Sequence, residues 1–218
     1  FIKRCQRRRL GRPSVVLSCP HGATPVERRA VRESAEAAGA GEVFLLEEPM
    51  AAAIGAGLPV NEPNGTMIVD SGGGTTEVAL ISLGGIVKAE NCRLGGFDLD
   101  AVIASNVKRQ YGLSIGEDMA ERIKREVGAA LPPEEGDGRS IDVKGLDQAT
   151  GVPAMATITE REVAEWFGEP LRAIIDGLFA VWRETPPELA GDVVERGIVL
   201  TGGGALLRRF DEYIRQTA

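Results

Sequence analysis

The stretch IVDSGGGTTEVALISL, residues 68–83, decides the fold. Apolar runs lie on both sides of Asp70, Ser71, three glycines (Gly72, Gly73, Gly74) and two threonines (Thr75, Thr76). Short apolar runs bounded by glycine read as strands, so 66–70 and 78–83 are predicted to pair across a glycine turn. GIVKAENCRL (85–94) continues the meander as a third strand.

A second turn repeats the design. GIVL (197–200) reads as a strand, TGGGA (201–205) as its turn, and a helix is expected from 205 to 216. Glycines let backbone N–H groups converge on an anion, because no side chain blocks the approach. Hydroxyls of Thr75 and Thr76 add donors, and Asp70 at its strand end is placed to act on a metal ion or its waters. A helix N-terminus after Gly202, Gly203 and Gly204 favours phosphate or a nucleoside. One glycine triplet is compatible with a plain hairpin turn; two of them, each ending an apolar strand, read as a nucleotide cleft. Neither turn has the GxxxxGK[ST] spacing, and no GxGxxG opens a helix.

Working outward, PSVVLSC (13–19) reads as a strand, and Thr24, Pro25 and Glu27 form a capping box that opens a helix to Ala38. EVFLLEE (42–48) is a strand and PMAAAIGAG (49–57) a small-residue helix. Helices are expected at 97–111 and 117–128, then a polar loop at 131–140 with RSIDVKG and PAMATI as weaker strands around it. Thr159 and Glu162 open a long helix to Glu184, with Pro170 as a kink. Alternating strands and helices with an antiparallel meander give an α/β class.

Composition narrows the function classes. Glycine accounts for 28 of 218 residues, about twice the ordinary share. The net charge is −7, and no apolar run approaches the ~20 residues that span a bilayer. Three cysteines, Cys5, Cys19 and Cys92, stand far apart, which argues against a zinc site or a disulfide scaffold. The basic start (Lys3, Arg4, Arg7, Arg8, Arg9, Arg12) has no apolar core and cleavage site behind it, so no signal peptide is expected. Such an arm can touch nucleic acid or an anionic membrane; the plainer reading is a solvated helix end. His21 is read as an exposed loop residue, and Trp166, Phe167, Phe179 and Trp182 as core or subunit contact.

Four runs carry a resemblance: the run from Val26 to Val60 that contains EEPMAAAIGAGLPV, the glycine-turn stretch quoted above, AERIKREVG (120–128), and PPELAGDVVERGIVLTGGGALLR (186–208). Together they resemble the MreB family of bacterial actin homologues, in the actin, Hsp70 and sugar-kinase superfamily. The resemblance implies an actin-like (RNase H-like) fold, with 1–65 as part of lobe IA, 66–96 and 159–218 as subdomain IIA, and 97–158 as inserted subdomain IIB. It implies ATP and Mg²⁺ as cofactors. Glu48 would position and polarise the attacking water, Thr75 would sense the γ-phosphate, and Asp70 would stand near Mg²⁺, through water. Gly72, Gly73 and Gly74 with Thr75 and Thr76 would cradle phosphate. Glu121 and Lys124 would flank ribose and base, and Gly202, Gly203 and Gly204 would form the adenosine turn.

The function implied is an ATPase subunit that polymerises into filaments, organising cell-wall elongation and rod shape from the cytoplasmic side of the membrane. Its partners would be further copies of itself and membrane-bound elongation proteins docking near 186–197; no nucleic acid is expected. The family's first phosphate loop, small IB subdomain and membrane anchor have no counterpart in these residues, so the chain is expected to match the middle two-thirds of a family member. A truncated non-catalytic interaction module, or a chaperone-type or sugar-kinase relative, are the alternative readings. GGFDLDAVI (95–103) stands where the family has GGDRFDEAI, and Ser71 where it has Ile.

Overall fold

The computed structural model describes residues 11–218. The basic arm lies outside them apart from Arg12, whose guanidinium donates to the Glu36 carbonyl at 3.3 Å.

Strands β1 (Val15–Cys19) and β2 (Val43–Glu47) pair in parallel around helix α1 (Pro25–Ala37). Thr24 and Glu27 close the predicted capping box: the Thr24 amide donates to Glu27 at 2.8 Å and the Glu27 amide to Thr24 Oγ1 at 3.2 Å. Helix α2 (Glu48–Gly55) follows directly. The main sheet holds β3 (Thr66–Ser71), β4 (Thr76–Ser82), β5 (Gly85–Cys92) and β9 (Ile198–Thr201) in the order β5-β4-β3-β9; β9 is parallel to β3 and the rest is antiparallel.

Strand alternation divides this sheet between two cores. Met67, Val69, Val78 and Leu80 face one apolar cluster, which runs on into the inserted segment; Ile68, Ala79 and Ile81 face a smaller cluster with Met50 and Ala53 of α2. Buried on both faces, β3 and β4 read as near-continuous apolar runs, as the sequence has them.

The insert contains α3 (Gly96–Tyr111), a short strand β6 (Leu113–Ser114), α4 (Glu117–Val127), and strands β7 (Ser140–Asp147) and β8 (Pro153–Thr159). β7 and β8 form one antiparallel ladder after the polar loop. The predicted long helix is two: α5 (Glu160–Trp166), capped by Thr159, and α6 (Gly168–Arg183). The break falls one turn before Pro170. Proline lacks the N–H that would bond to the Trp166 carbonyl and its ring crowds that carbonyl, so the helix yields there. Helix α7 (Pro187–Arg196) leads into β9. The expected helix at 205–216 is also divided, into a 3₁₀ turn (Gly203–Leu206) and α8 (Phe210–Thr217), because Arg209 takes a left-handed backbone with φ 60°.

Phe167 sits at the α5–α6 break, fully buried in the larger cluster. Phe167→Ala is expected to cost about 3–5 kcal/mol of unfolding free energy, measured by urea denaturation; a loss below ~1 kcal/mol would show that the junction does not depend on the ring.

Candidate functional site

The β3–β4 turn is closed by the Gly72 amide donating to the Thr75 carbonyl at 2.8 Å. Because β9 runs parallel to β3 with Asp70 opposite Thr201, both strands end together and their glycine turns lie side by side. Thr201 Oγ1 donates to Asp70 Oδ1 at 3.1 Å. Gly202 (φ 81°) and Gly204 press against Ser71, where a Cβ on either would collide with its backbone or hydroxyl. Any side chain there would push the two turns apart.

The start of α3 docks on the first turn. The Gly96 amide donates to the Gly72 carbonyl at 3.0 Å and the Phe97 amide to the Gly73 carbonyl at 2.7 Å. A Cβ on Gly95 would stand 2.6 Å from the Gly73 carbonyl oxygen, so glycine is needed for this approach. Between the two turns, α3 and α4 lies a cavity of about 430 Å³, lined by Gly72, Gly73, Glu121, Lys124, Gly203 and Gly204 among others. Six of the residues expected from sequence therefore meet in one place, at a volume suited to a small-molecule ligand.

Lys124 does not stand free in it. Its Nζ donates to Asp100 Oδ2 at 2.7 Å and to the Gly96 carbonyl at 2.8 Å, a largely buried ion pair tying α4 to α3. Burial raises the Asp100 carboxyl, against the hydrogen bond and charge of Lys124. Glu121 lies 3.9 Å from Arg125. The sequence reading missed Asp100; its one sign was an acid amid the inward-facing positions Leu99 and Ile103 of a helix.

A second group of residues gathers on the α2 side of the sheet. There the face that is apolar at Ile68 and Ala79 becomes polar at its end, where Asp70, Glu77 and Asn91 stand in register across three strands. Asn91 Nδ2 donates to Glu77 Oε1 at 2.6 Å, while Glu77 Oε2 is buried without a partner among the described residues. Burial, then the charge of Glu48, with Asp70 adding to both, pushes the Glu77 carboxyl up to about 7; the His21 amide and Asn91 pull the other way. Glu48 opens α2, and burial and Asp70 raise its carboxyl too. Glu77 was visible in sequence only as a charge inside the apolar strand TEVALIS.

Three further residues singled out in the sequence are placed as follows. Thr76 is fully buried on the opposite face from Asp70; its hydroxyl donates to the Leu94 carbonyl at 2.9 Å and lies 3.1 Å from Ser71 Oγ, so it braces the turn from behind. Thr75 opens onto a different cavity, of about 480 Å³, shared with Cys19, Asn91 and Arg93. His21 is half-buried, with Nδ1 3.2 Å from Glu47 Oε1, which also accepts from Arg28 at 2.9 Å. The adjacent acids are thus separated: Glu47 is paired with Arg28 in a cluster of its own, and Glu48 joins the acidic row. Gly74 meets no heavy atom within 4 Å of a Cβ position, leaving its side of the turn open.

A family profile described as MreB/Mbl protein matches residues 1–218. The chain belongs to the MreB/Mbl family. It is 53% identical over 218 residues to the cell shape-determining protein MreB of Escherichia coli K12, covering 99% of this chain and 62% of that protein. The crystal structure of MreB 5 of Spiroplasma citri bound to AMPPNP superposes with TM-score 0.89 at 36% identity, over 94% of this chain and 61% of the other. The MamK double helical filament superposes with TM-score 0.77 at 20% identity, over 99% of this chain and 63% of the other; at that identity it speaks to the actin-like fold alone. The chain spans under two-thirds of the length of each.

The buried Glu77 makes stability depend on pH. Its ordinary value is 4.5 and its folded value about 7, so between them the folded chain holds a proton that the unfolded chain has released. Stability is expected to fall as pH rises through this window, by up to ~3 kcal/mol. Glu77→Gln should flatten that dependence in metal-free urea denaturation between about pH 5 and 8; equal slopes for both proteins would contradict it.

Proposed function

We propose that this chain is the nucleotide-binding part of an actin-like cytoskeletal ATPase subunit, which polymerises into filaments that organise cell-wall elongation and rod shape. The observation that carries the reading is the cavity between two abutting glycine turns, walled by Glu121 and Lys124. The AMPPNP bound to the Spiroplasma citri relative supports it. In this reading residues 1–65 are part of lobe IA, 66–96 and 159–218 are subdomain IIA, and 97–158 are subdomain IIB.

Backbone amides of Gly73 and Gly74 would hold phosphate oxygens, in a turn that the Gly72 amide closes, and the turn at Gly202, Gly203 and Gly204 would carry adenosine against Glu121 and Lys124. The residues fit Mg²⁺ in one manner. Among the described residues no three acidic, histidine or cysteine side chains converge as a protein-only metal cage would need, whereas Asp70 lies at the strand end beside the turn. That suits an ion that keeps several waters and leans on phosphate oxygens. When bound, Mg²⁺ would neutralise charge on those oxygens. Glu48 would orient a water and take its proton; Thr75, at the other edge of the turn, would report on the terminal phosphate.

Self-association would run head to tail, since repeated heterologous contacts give open polymers. Helix α7 is the proposed docking surface for membrane-bound elongation proteins, placing the protein at the cytoplasmic face of the membrane. No helix among the described residues is long and apolar enough to cross one.

Titration calorimetry of ATP with and without Mg²⁺ tests the reading. The chain is expected to bind Mg-ATP, and Asp70→Asn to weaken that binding far more than binding of metal-free ATP. Unchanged Mg²⁺ dependence would remove Asp70 from the ion's vicinity, and no binding by the folded chain would overturn the nucleotide reading. Glu48→Gln should preserve affinity while lowering turnover by ~10²–10⁴-fold; an equal loss of both would overturn its role as base.

A further inference from the structure

The cavity between the glycine turns is lined in part by Gly72, Gly73, Gly203 and Gly204 and by the Lys124–Asp100 pair. Its lining also includes two large apolar side chains that remain open to solvent, Phe97 at 73% and Leu206 at 85% exposure. Scattered exposed apolar residues are ordinary on a soluble protein; two at one cavity, beside backbone amides and an ammonium group, are a ligand-facing surface.

The backbone of Phe97 is fixed there. Its amide is anchored to the Gly73 carbonyl at 2.7 Å. Its ring lies directly on Gly73, where an added Cβ would meet Cε2 at 2.9 Å and Cζ at 3.1 Å. The missing side chain at Gly73 therefore serves the ring as well as the turn. An aromatic face gives a charged phosphate no hydrogen bond, yet it suits a sugar ring or a planar base.

We propose that Phe97 is a specificity-determining residue of this chain, forming with Leu206 the apolar wall against which the ribose and base of a nucleotide pack. The inference deepens the nucleotide reading above and rests on it. It assigns a contact to a position at which GGFDLDAVI departs from the family's GGDRFDEAI, an aromatic in place of an acid.

The test measures the affinities of Mg-ADP, adenosine and inorganic tripolyphosphate for the 218-residue chain and for Phe97→Ala and Phe97→Trp, with thermal melting as a check on folding. Base–aromatic stacking is lost on alanine substitution at a cost that corresponds to about 5- to 150-fold in affinity. Phe97→Ala is expected to weaken ADP and adenosine by the same factor in that range and to leave tripolyphosphate unchanged. Phe97→Trp should restore binding, with its added indole emission changing on ADP addition relative to the wild-type tryptophans. Wild-type affinity for ADP in a folded Phe97→Ala chain would overturn the proposal while leaving the nucleotide reading intact. A loss shared equally by tripolyphosphate would also overturn it, since the ring would then act through the glycine turn. Absence of any ADP binding by the wild-type chain would overturn both.

Discussion

Everything at the site depends on how closely the ends of β3 and β9 approach one another. Two parallel strands finish in register, and the chain after each must turn away at once, within van der Waals contact of its neighbour. Only glycine at 202 and 204 permits that against Ser71. The Thr201–Asp70 hydrogen bond holds the pair from the carboxylate side, and the Ser71–Thr76 hydroxyl contact braces it from behind. From this contact the rest of the cavity follows: the first turn of α3 rests on Gly72 and Gly73, and α4 is drawn in through Lys124 and Asp100.

The central sheet does two jobs along its length. Its body is apolar on both faces, and the burial of Met67, Val69, Val78 and Leu80 on one side and Ile68, Ala79 and Ile81 on the other supplies the rigidity a ligand site needs. At one end the α2-facing side turns polar, and Asp70 and Glu77 sit beside Glu48 with no basic side chain paired to them among the described residues. An uncompensated buried carboxylate is costly, so burial and the charge of Glu48 push the Glu77 carboxyl up. Stability has been given up at the point where chemistry is proposed, as is common for functional sites.

Much of this was legible in the sequence because it is local. The glycine triplets, the capping boxes at Thr24 and Thr159, and the apolar runs of β3 and β4 each declare themselves within a few residues, and the MreB resemblance implied the fold over nearly the whole chain. What was missed is pairwise and distant. The Lys124–Asp100 bond joins residues on two helices, and the Glu47 cluster with His21 and Arg28 joins three elements; neither leaves a spacing to recognise. Thr75 and Thr76 looked alike as hydroxyl donors, but strand alternation begins at Thr76 and turns it away from the acidic row. The break at Phe167 was displaced from Pro170 by one helical turn, since proline's effect falls on the carbonyl four residues before it.

The central claim is that the two glycine turns act as one ligand-binding surface. Amide hydrogen exchange of the chain, with and without saturating Mg-ADP, tests it most directly. The account predicts slowed exchange in both segments, 72–75 and 202–205, to a similar extent and at the same nucleotide concentration. Protection of one turn alone, or of neither while ADP is demonstrably bound, would contradict it.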